Sequence, residues 1–231
     1  MTKFDDATQA IKVDDTTYDV CLDAGYTIGT ALNGGYLMAV LLRAVVDASP
    51  HDHPVATSAQ FLRVARPGPA TVRLGQIKSG RTTTVTRATL VQDGTPYVEA
   101  FVTTANLRPY EPGAEPGPGE LTWSAPPPPM PPIEECRPLP APKPESNMPF
   151  NAQVELLFDP PTIGWYRGTP TGRPEMRAYF RLAEPQDPDP FVIALAVDAL
   201  PPVVFSAGAR GWAPTVELTW YLRALPAPGW L

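Results

Sequence analysis

The sequence predicts an α+β chain made of two copies of one unit, each a curved antiparallel sheet wrapped around one buried helix. Three observations predict this. Two helical runs, 36–46 and 191–205, are apolar over most of their circumference, so neither can lie on a surface. Segments of strand character follow each run, with no further helix between them. A block dense in proline separates the two halves: fifteen of the 32 prolines fall between Pro109 and Pro149.

In chain order, residues 18–28 have strand character and end near Gly29. Asn33 precedes Gly34 and Gly35 and the apolar run 36–46. Asn is a favoured N-cap, and the two glycines permit close backbone approach at the helix start. Prolines 50 and 54 bound the segment that ends the helix. Residues 56–65, 71–79, 81–92 and 95–107 then read as four consecutive antiparallel strands, with Asp93–Gly94 as a hairpin turn. Proline removes a backbone donor and fixes φ, so 109–147 is expected to be an extended surface linker. The expected domains are therefore 1–108, a linker 109–147, and 148–231.

In the second unit, 152–158 and 176–182 read as strands. Asp189 and Pro190 open a helix over 191–205, capped by the Asp and started by the Pro. Pro201–Pro202 is expected to break it near Leu200, and 215–225 returns as a strand. Phe61-Leu62-Arg63 matches Tyr221-Leu222-Arg223 at a shift of 160, each on the first strand after a buried helix. At that shift Met38 lies opposite Asp198 and Val55 opposite Thr215. On the same comparison the second unit is expected to lack roughly three of the first unit's strands.

With 231 residues and 43% hydrophobic content, the chain is long enough for one large core or two small ones. The net charge of −6, with no Lys/Arg run, argues against a nucleic-acid partner. No apolar run approaches membrane-spanning length; the longest, 36–46, is interrupted by Arg43. Residues 1–6 are polar and acidic, unlike a secretory leader. Cys21 and Cys136 show no motif spacing and read as free thiols of a cytoplasmic protein.

Asp198 is the residue that stands out chemically. It lies among Ala196, Val197, Ala199 and Leu200, where desolvation raises a carboxyl pKa towards values useful to a general base. The plainer alternative is that it bonds a neighbouring backbone group at the proline kink. Thr215 reads equally as an ordinary strand residue, Asn33 as a cap, and Gly34 and Gly35 as packing glycines. There is no Gly-x-Ser-x-Gly elbow, and no phosphate-binding or dinucleotide glycine motif. His51 and His53 are expected in a solvated loop. Arg63, Arg66, Arg81 and Arg87 could meet phosphates or simply face solvent.

Three stretches resemble a known family: Asn33-Gly34-Gly35, then Val197-Asp198-Ala199-Leu200-Pro201, then Pro214-Thr215-Val216-Glu217 leading into Trp220-Tyr221-Leu222-Arg223. The chain is similar to the double-hotdog acyl-CoA thioesterases, nearest to the bacterial acyl-CoA thioesterase II group. The resemblance implies a tandem hotdog fold and hydrolysis of a fatty acyl-CoA without metal or cofactor. In that family an Asp, a Thr and a Gln position one water for direct attack on the thioester. The resemblance carries the Asp to Asp198 and the Thr to Thr215, with the Gln expected on strands absent from the second unit. It also implies a substrate-binding role for Asn33, Gly34 and Gly35, acyl-CoA as the binding partner, and a homodimer. The alternative is a catalytically silent hotdog protein that binds acyl groups or serves assembly; a hotdog hydratase, which needs an Asp–His pair, fits less well.

Overall fold

The computed structural model describes residues 2–108, 128–140, 147–211 and 213–231. Its centre is helix α2, Gly34–Asp47 (α1, Lys3–Ala7, precedes it). Asn33 caps α2 through its side-chain oxygen, which accepts the Tyr36 N–H at 2.9 Å. Residues from Gly35 to Val45 are buried almost without interruption, as the all-round apolar pattern requires. Arg43 is the exception. Its guanidinium lies 2.6 Å from Asp5 and 3.9 Å over the Phe191 ring.

A seven-stranded antiparallel sheet wraps this helix. It comprises β1 (Ala10–Asp14), β2 (Thr17–Leu22), β5 (His53–Phe61), β6 (Gly68–Ser79), β7 (Thr84–Gln92), β8 (Thr95–Ala105) and β11 (Glu217–Tyr221), in the order β1-β2-β6-β7-β8-β5-β11. Two short pairs stand apart: β3 (Thr27–Ile28) with β4 (Ala31–Leu32), and β9 (Val154–Phe158) with β10 (Ala178–Leu182). The hairpin between β7 and β8 turns at Asp93 and Gly94, with φ of 49° and 73°, as the Asp-Gly pair predicts. Strand β5 pairs with β8 and not with its sequence neighbour β6. The four strands therefore form a three-stranded meander with β5 added beyond its last member.

Several expectations are corrected. The 18–28 strand ends at Leu22, because Asp23 accepts the Gly25 N–H at 2.6 Å and caps a 3-10 turn over Ala24–Tyr26. The second helix is much shorter than 191–205: α3 covers Pro190–Ala196, and Val203–Phe205 is a separate 3-10 turn. Pro201 cannot donate to the carbonyl of Val197, and Pro202 cannot donate to that of Asp198, so the helix has no continuation. Asp198 consequently sits in the turn after α3, not on it. Thr215 precedes β11, which begins at Glu217. His51 is buried, with its ring nitrogens 3.2 Å from Thr84 Oγ1 and 3.2 Å from the Arg81 carbonyl. His53 Nδ1 accepts the Leu107 N–H. Neither histidine is on a solvated loop.

Of the linker, 109–127 and 141–146 lie outside the described residues. Of the described part, 128–140 packs on the second unit: Arg137 bridges to Phe158, Cys136 is buried, and Tyr179 donates to the Pro131 carbonyl; Asn147 exchanges hydrogen bonds with Gly29 of the first unit. Both cysteines are free.

The two units meet where β5 and β11 pair antiparallel, with Ser58 opposite Thr219 and Ala59 opposite Leu218. This ladder overturns the 160-residue alignment. Thr57 and Trp220 are paired and both buried, so the inward residues of β11 are 218, 220 and 222, whereas those of β5 are 57, 59 and 61. An even shift exchanges the two faces. Phe61 turns inward against Gly34, while Tyr221 is 67% exposed. Matching the helix caps, Asn33 with Asp189, places buried Leu42 opposite Asp198 in place of Met38.

Candidate active site

Two helix ends meet head to tail at the junction of the units. Helix α3 starts at Asp189, whose carboxylate accepts the Phe191 and Val192 N–H groups at 2.8 and 2.7 Å. It runs seven residues and delivers its last carbonyls against the start of α2. A Cβ built on Gly35 would lie 2.6 Å from the Ala194 carbonyl oxygen and 2.8 Å from that of Leu195. Those contacts are with backbone, so only glycine permits this approach. A Cβ on Gly34 would lie 2.9 Å from both Asp198 Oδ2 and the Phe61 ring. The two glycines are thus needed for different reasons.

The turn after α3 puts Asp198 on the open N-terminus of α2. Its Oδ2 accepts the Gly35 N–H at 3.0 Å and one Asn33 Nδ2–H at 3.2 Å. Its Oδ1 accepts the Thr215 hydroxyl at 3.0 Å. Thr215 is held by its neighbour Val216, whose carbonyl accepts the Phe61 N–H at 2.9 Å as the β5–β11 ladder closes. Burial pushes the Asp198 carboxyl above its ordinary value; the Thr215 hydroxyl and the N–H groups of Gly35 and Gly34 oppose that rise. All five residues singled out in the sequence are therefore in one place, although they come from segments more than 160 residues apart in the chain.

The site opens on a cleft of about 1330 Å³. The first unit contributes Asn33, Gly34 and Phe61 to its wall, and the second contributes Leu156, Trp165 and Tyr166, beside Asp198 and Thr215. Gly35 does not line the cleft; its N–H reaches the site from behind. Among the described residues, charge on the wall is sparse: besides Asp198 there are Arg63 and Glu155. Arg63 donates to the Pro96 carbonyl, and Glu155 pairs with Arg181. Arg66, Arg81 and Arg87 do not line it. No group of three His, Cys, Asp or Glu side chains is gathered as a metal would need among the described residues.

Sequence reasoning missed Phe61 as a wall of the site and the aromatic pair Trp165 and Tyr166. The latter lie on a 3-10 segment, Pro160–Arg167. The adjacent Trp and Tyr between prolines and glycines were the available signal. It also missed the Arg43 lock, which ties α1 and the start of α3 to α2 through Asp5, Asp189 and Phe191.

Comparison with known proteins places this geometry in a family. Residues 22–105 match the acyl-CoA thioesterase N-terminal domain, and 133–231 the acyl-CoA thioesterase C-terminal domain. A Thermobifida fusca protein named as a candidate thioesterase II is 41% identical. Its crystal structure superposes with a TM-score of 0.87 over 100% of this chain and 84% of that one. An uncharacterised protein of Mycobacterium tuberculosis is 33% identical over 226 residues, 91% of this chain and 76% of that protein. A hot dog fold protein of Alicyclobacillus acidocaldarius, at 21% identity, gives a TM-score of 0.74 over 96% of this chain and 78% of that one, a likeness of fold. The double-hotdog fold is thus shared with solved structures, and the chain belongs to the acyl-CoA thioesterase family.

Proposed function

We propose that the chain hydrolyses a fatty acyl-CoA thioester, with Asp198 as general base for one water. The observation that carries this reading is the Asp198 carboxyl itself. It is desolvated, fixed by Thr215 and the start of α2, and set on the wall of a largely apolar cleft between the units. A thioester is already reactive, so a positioned water and a base suffice. The water attacks the thioester carbon while Asp198 takes its proton. The tetrahedral intermediate collapses with loss of the CoA thiolate, which recovers a proton, leaving a free fatty acid. The positive end of α2 at Asn33 and Gly34 favours the negative oxygen that develops on the carbonyl. Thr215 holds the carboxylate in orientation, Asn33 and Gly34 form the substrate-facing floor, and Gly35 supports it from behind through its N–H to Asp198.

The test is release of free thiol from acyl-CoAs of graded chain length. Turnover is expected for the native chain, and Asp198→Asn is expected to lower kcat by ~10²–10⁴-fold. Native-like turnover in that variant removes Asp198 from the chemistry. A second reading, an acyl-binding protein without turnover, has one observation in its favour. Both Asp198 oxygens accept hydrogen bonds from the protein itself, and the Gly35 N–H is engaged by one of them. Tight acyl-CoA binding without thiol release would select it. A hydratase is disfavoured, since neither histidine lines the cleft. We also retain a cytoplasmic homodimer as part of the proposal; the checks are cell fractionation and sedimentation.

A further inference from the structure

Asn33 does more than its cap requires. It is 5% exposed, and both ends of its amide are engaged. Oδ1 accepts the Tyr36 N–H at 2.9 Å, which completes the cap. Nδ2 points the other way, across the junction of the two units. It donates to the Asp198 backbone carbonyl at 2.8 Å and lies 3.2 Å from Asp198 Oδ2. A cap needs only the acceptor, and Ser or Asp supplies one as well as Asn does. Capping therefore does not explain why an amide stands here. The donor end does, because it grips one residue at two points, main chain and carboxylate, and so restrains both the turn after α3 and the carboxyl's rotation.

We infer that Asn33 is a positioning residue for Asp198, holding its carboxylate ionised and oriented through the Nδ2 donor, separately from its role as the α2 cap. This rests on the reading of Asp198 as the base, and adds a residue that need not touch the reacting atoms. The surroundings isolate the effect. Around Asp198, Gly35 and Thr215 supply neutral donors from α2 and from the segment before β11. Among the described residues, the other charged groups on the same cleft are Arg63, after β5, and Glu155, on β9; Glu155 has its own cationic partner. At the far end of α3, Asp189 faces Arg43.

The experiment compares Asn33→Asp and Asn33→Ser with the native chain. Both substitutions keep a cap acceptor, so α2 keeps its cap, and thermal melts report only the cost of the lost Nδ2 donor. Asn33→Ser removes the amide donor; Asn33→Asp also sets a second carboxylate against the first. The Asp198 carboxyl is titrated by ¹³C NMR, with its signal assigned by its loss in Asp198→Asn. The midpoint is expected to rise in the order native, Ser, Asp, by about one pH unit or more for Asp, where the two carboxyls titrate as a coupled pair. The acid limb of kcat should move with it. Midpoints and acid limbs unchanged in both variants would overturn the inference and leave Asn33 a cap. If the native chain releases thiol from no acyl-CoA, the thioesterase reading falls, and the carboxyl titration still decides the role of Asn33.

Discussion

Asp198 accepts three hydrogen bonds and its carboxyl still titrates above the ordinary value, because burial outweighs the donors. The sign of the consequence for stability follows. A carboxyl raised in the folded state holds its proton more tightly folded than unfolded. Its contribution is therefore fully present below the unfolded pKa and is lost as pH rises through the folded one. Asp198→Asn should melt at least as high as the native chain at neutral pH while losing turnover. Its amide oxygen can still accept from Gly35, and its NH₂ can donate to Thr215. A marked fall in melting temperature in that variant would show that the ionised carboxylate is a structural necessity. The same raised pKa places the acid limb of kcat above the normal carboxylate range of about 4. An acid limb at or below that range would point to another base.

At the scale of elements, the site depends on how closely two helix ends approach. Gly35→Ala would drive a methyl group into the Ala194 and Leu195 carbonyl oxygens, which belong to the α3 backbone and cannot rotate away. Separating α2 from α3 should cost about 1–3 kcal/mol and carry Asp198 off the Gly35 N–H. Chemical denaturation beside thiol release is the check: stability and kcat should fall together. A variant with native stability and turnover would mean the junction relaxes elsewhere. Helix α2 was legible in the sequence nearly to its ends, because its cap, glycines and apolar circumference all agree. Helix α3 was legible at its start and in its interruption by Pro201–Pro202, expected near Leu200; the helix ends four residues earlier, at Ala196, and Val203–Phe205 is a separate turn.

At the scale of the molecule, β11 of the second unit completes the first unit's sheet, and one core cluster runs from Phe4 through α2 and α3 to Trp220 and Leu222. The units should therefore unfold together. Trp220, paired with Thr57 and 7% exposed, is the natural probe. Trp220→Ala should cost about 3–5 kcal/mol and lower the stability of both units in a single transition, followed by far- and near-UV circular dichroism. Two separate transitions in the native chain would show that the shared ladder is a weak link. The tandem architecture was visible in the sequence because each unit repeats helix, breaker and strand. Its register was not. The Phe-Leu-Arg and Tyr-Leu-Arg triplets align at an even shift, yet Phe61 faces the core and Tyr221 faces solvent. Three matching letters carry no information about which face of the sheet a residue occupies.

By itself the sequence determined the α+β class, the two buried helices and the strand content of the first unit. These are written in local chemistry: caps, glycines and apolar periodicity. Of the five candidate site residues, only Asp198 stood out on its own chemistry, as one carboxylate among apolar neighbours; the other four were singled out by the family resemblance. Only the tertiary structure decided that those five residues meet, that Asp198 lies beyond α3, and that Phe61, Trp165 and Tyr166 share its cleft. The physical reason is range. A cap or a turn is settled within a few residues, whereas the Asn33–Asp198 and Phe61–Val216 hydrogen bonds form only when the β5–β11 ladder and the α2–α3 junction close distant chain segments onto one another.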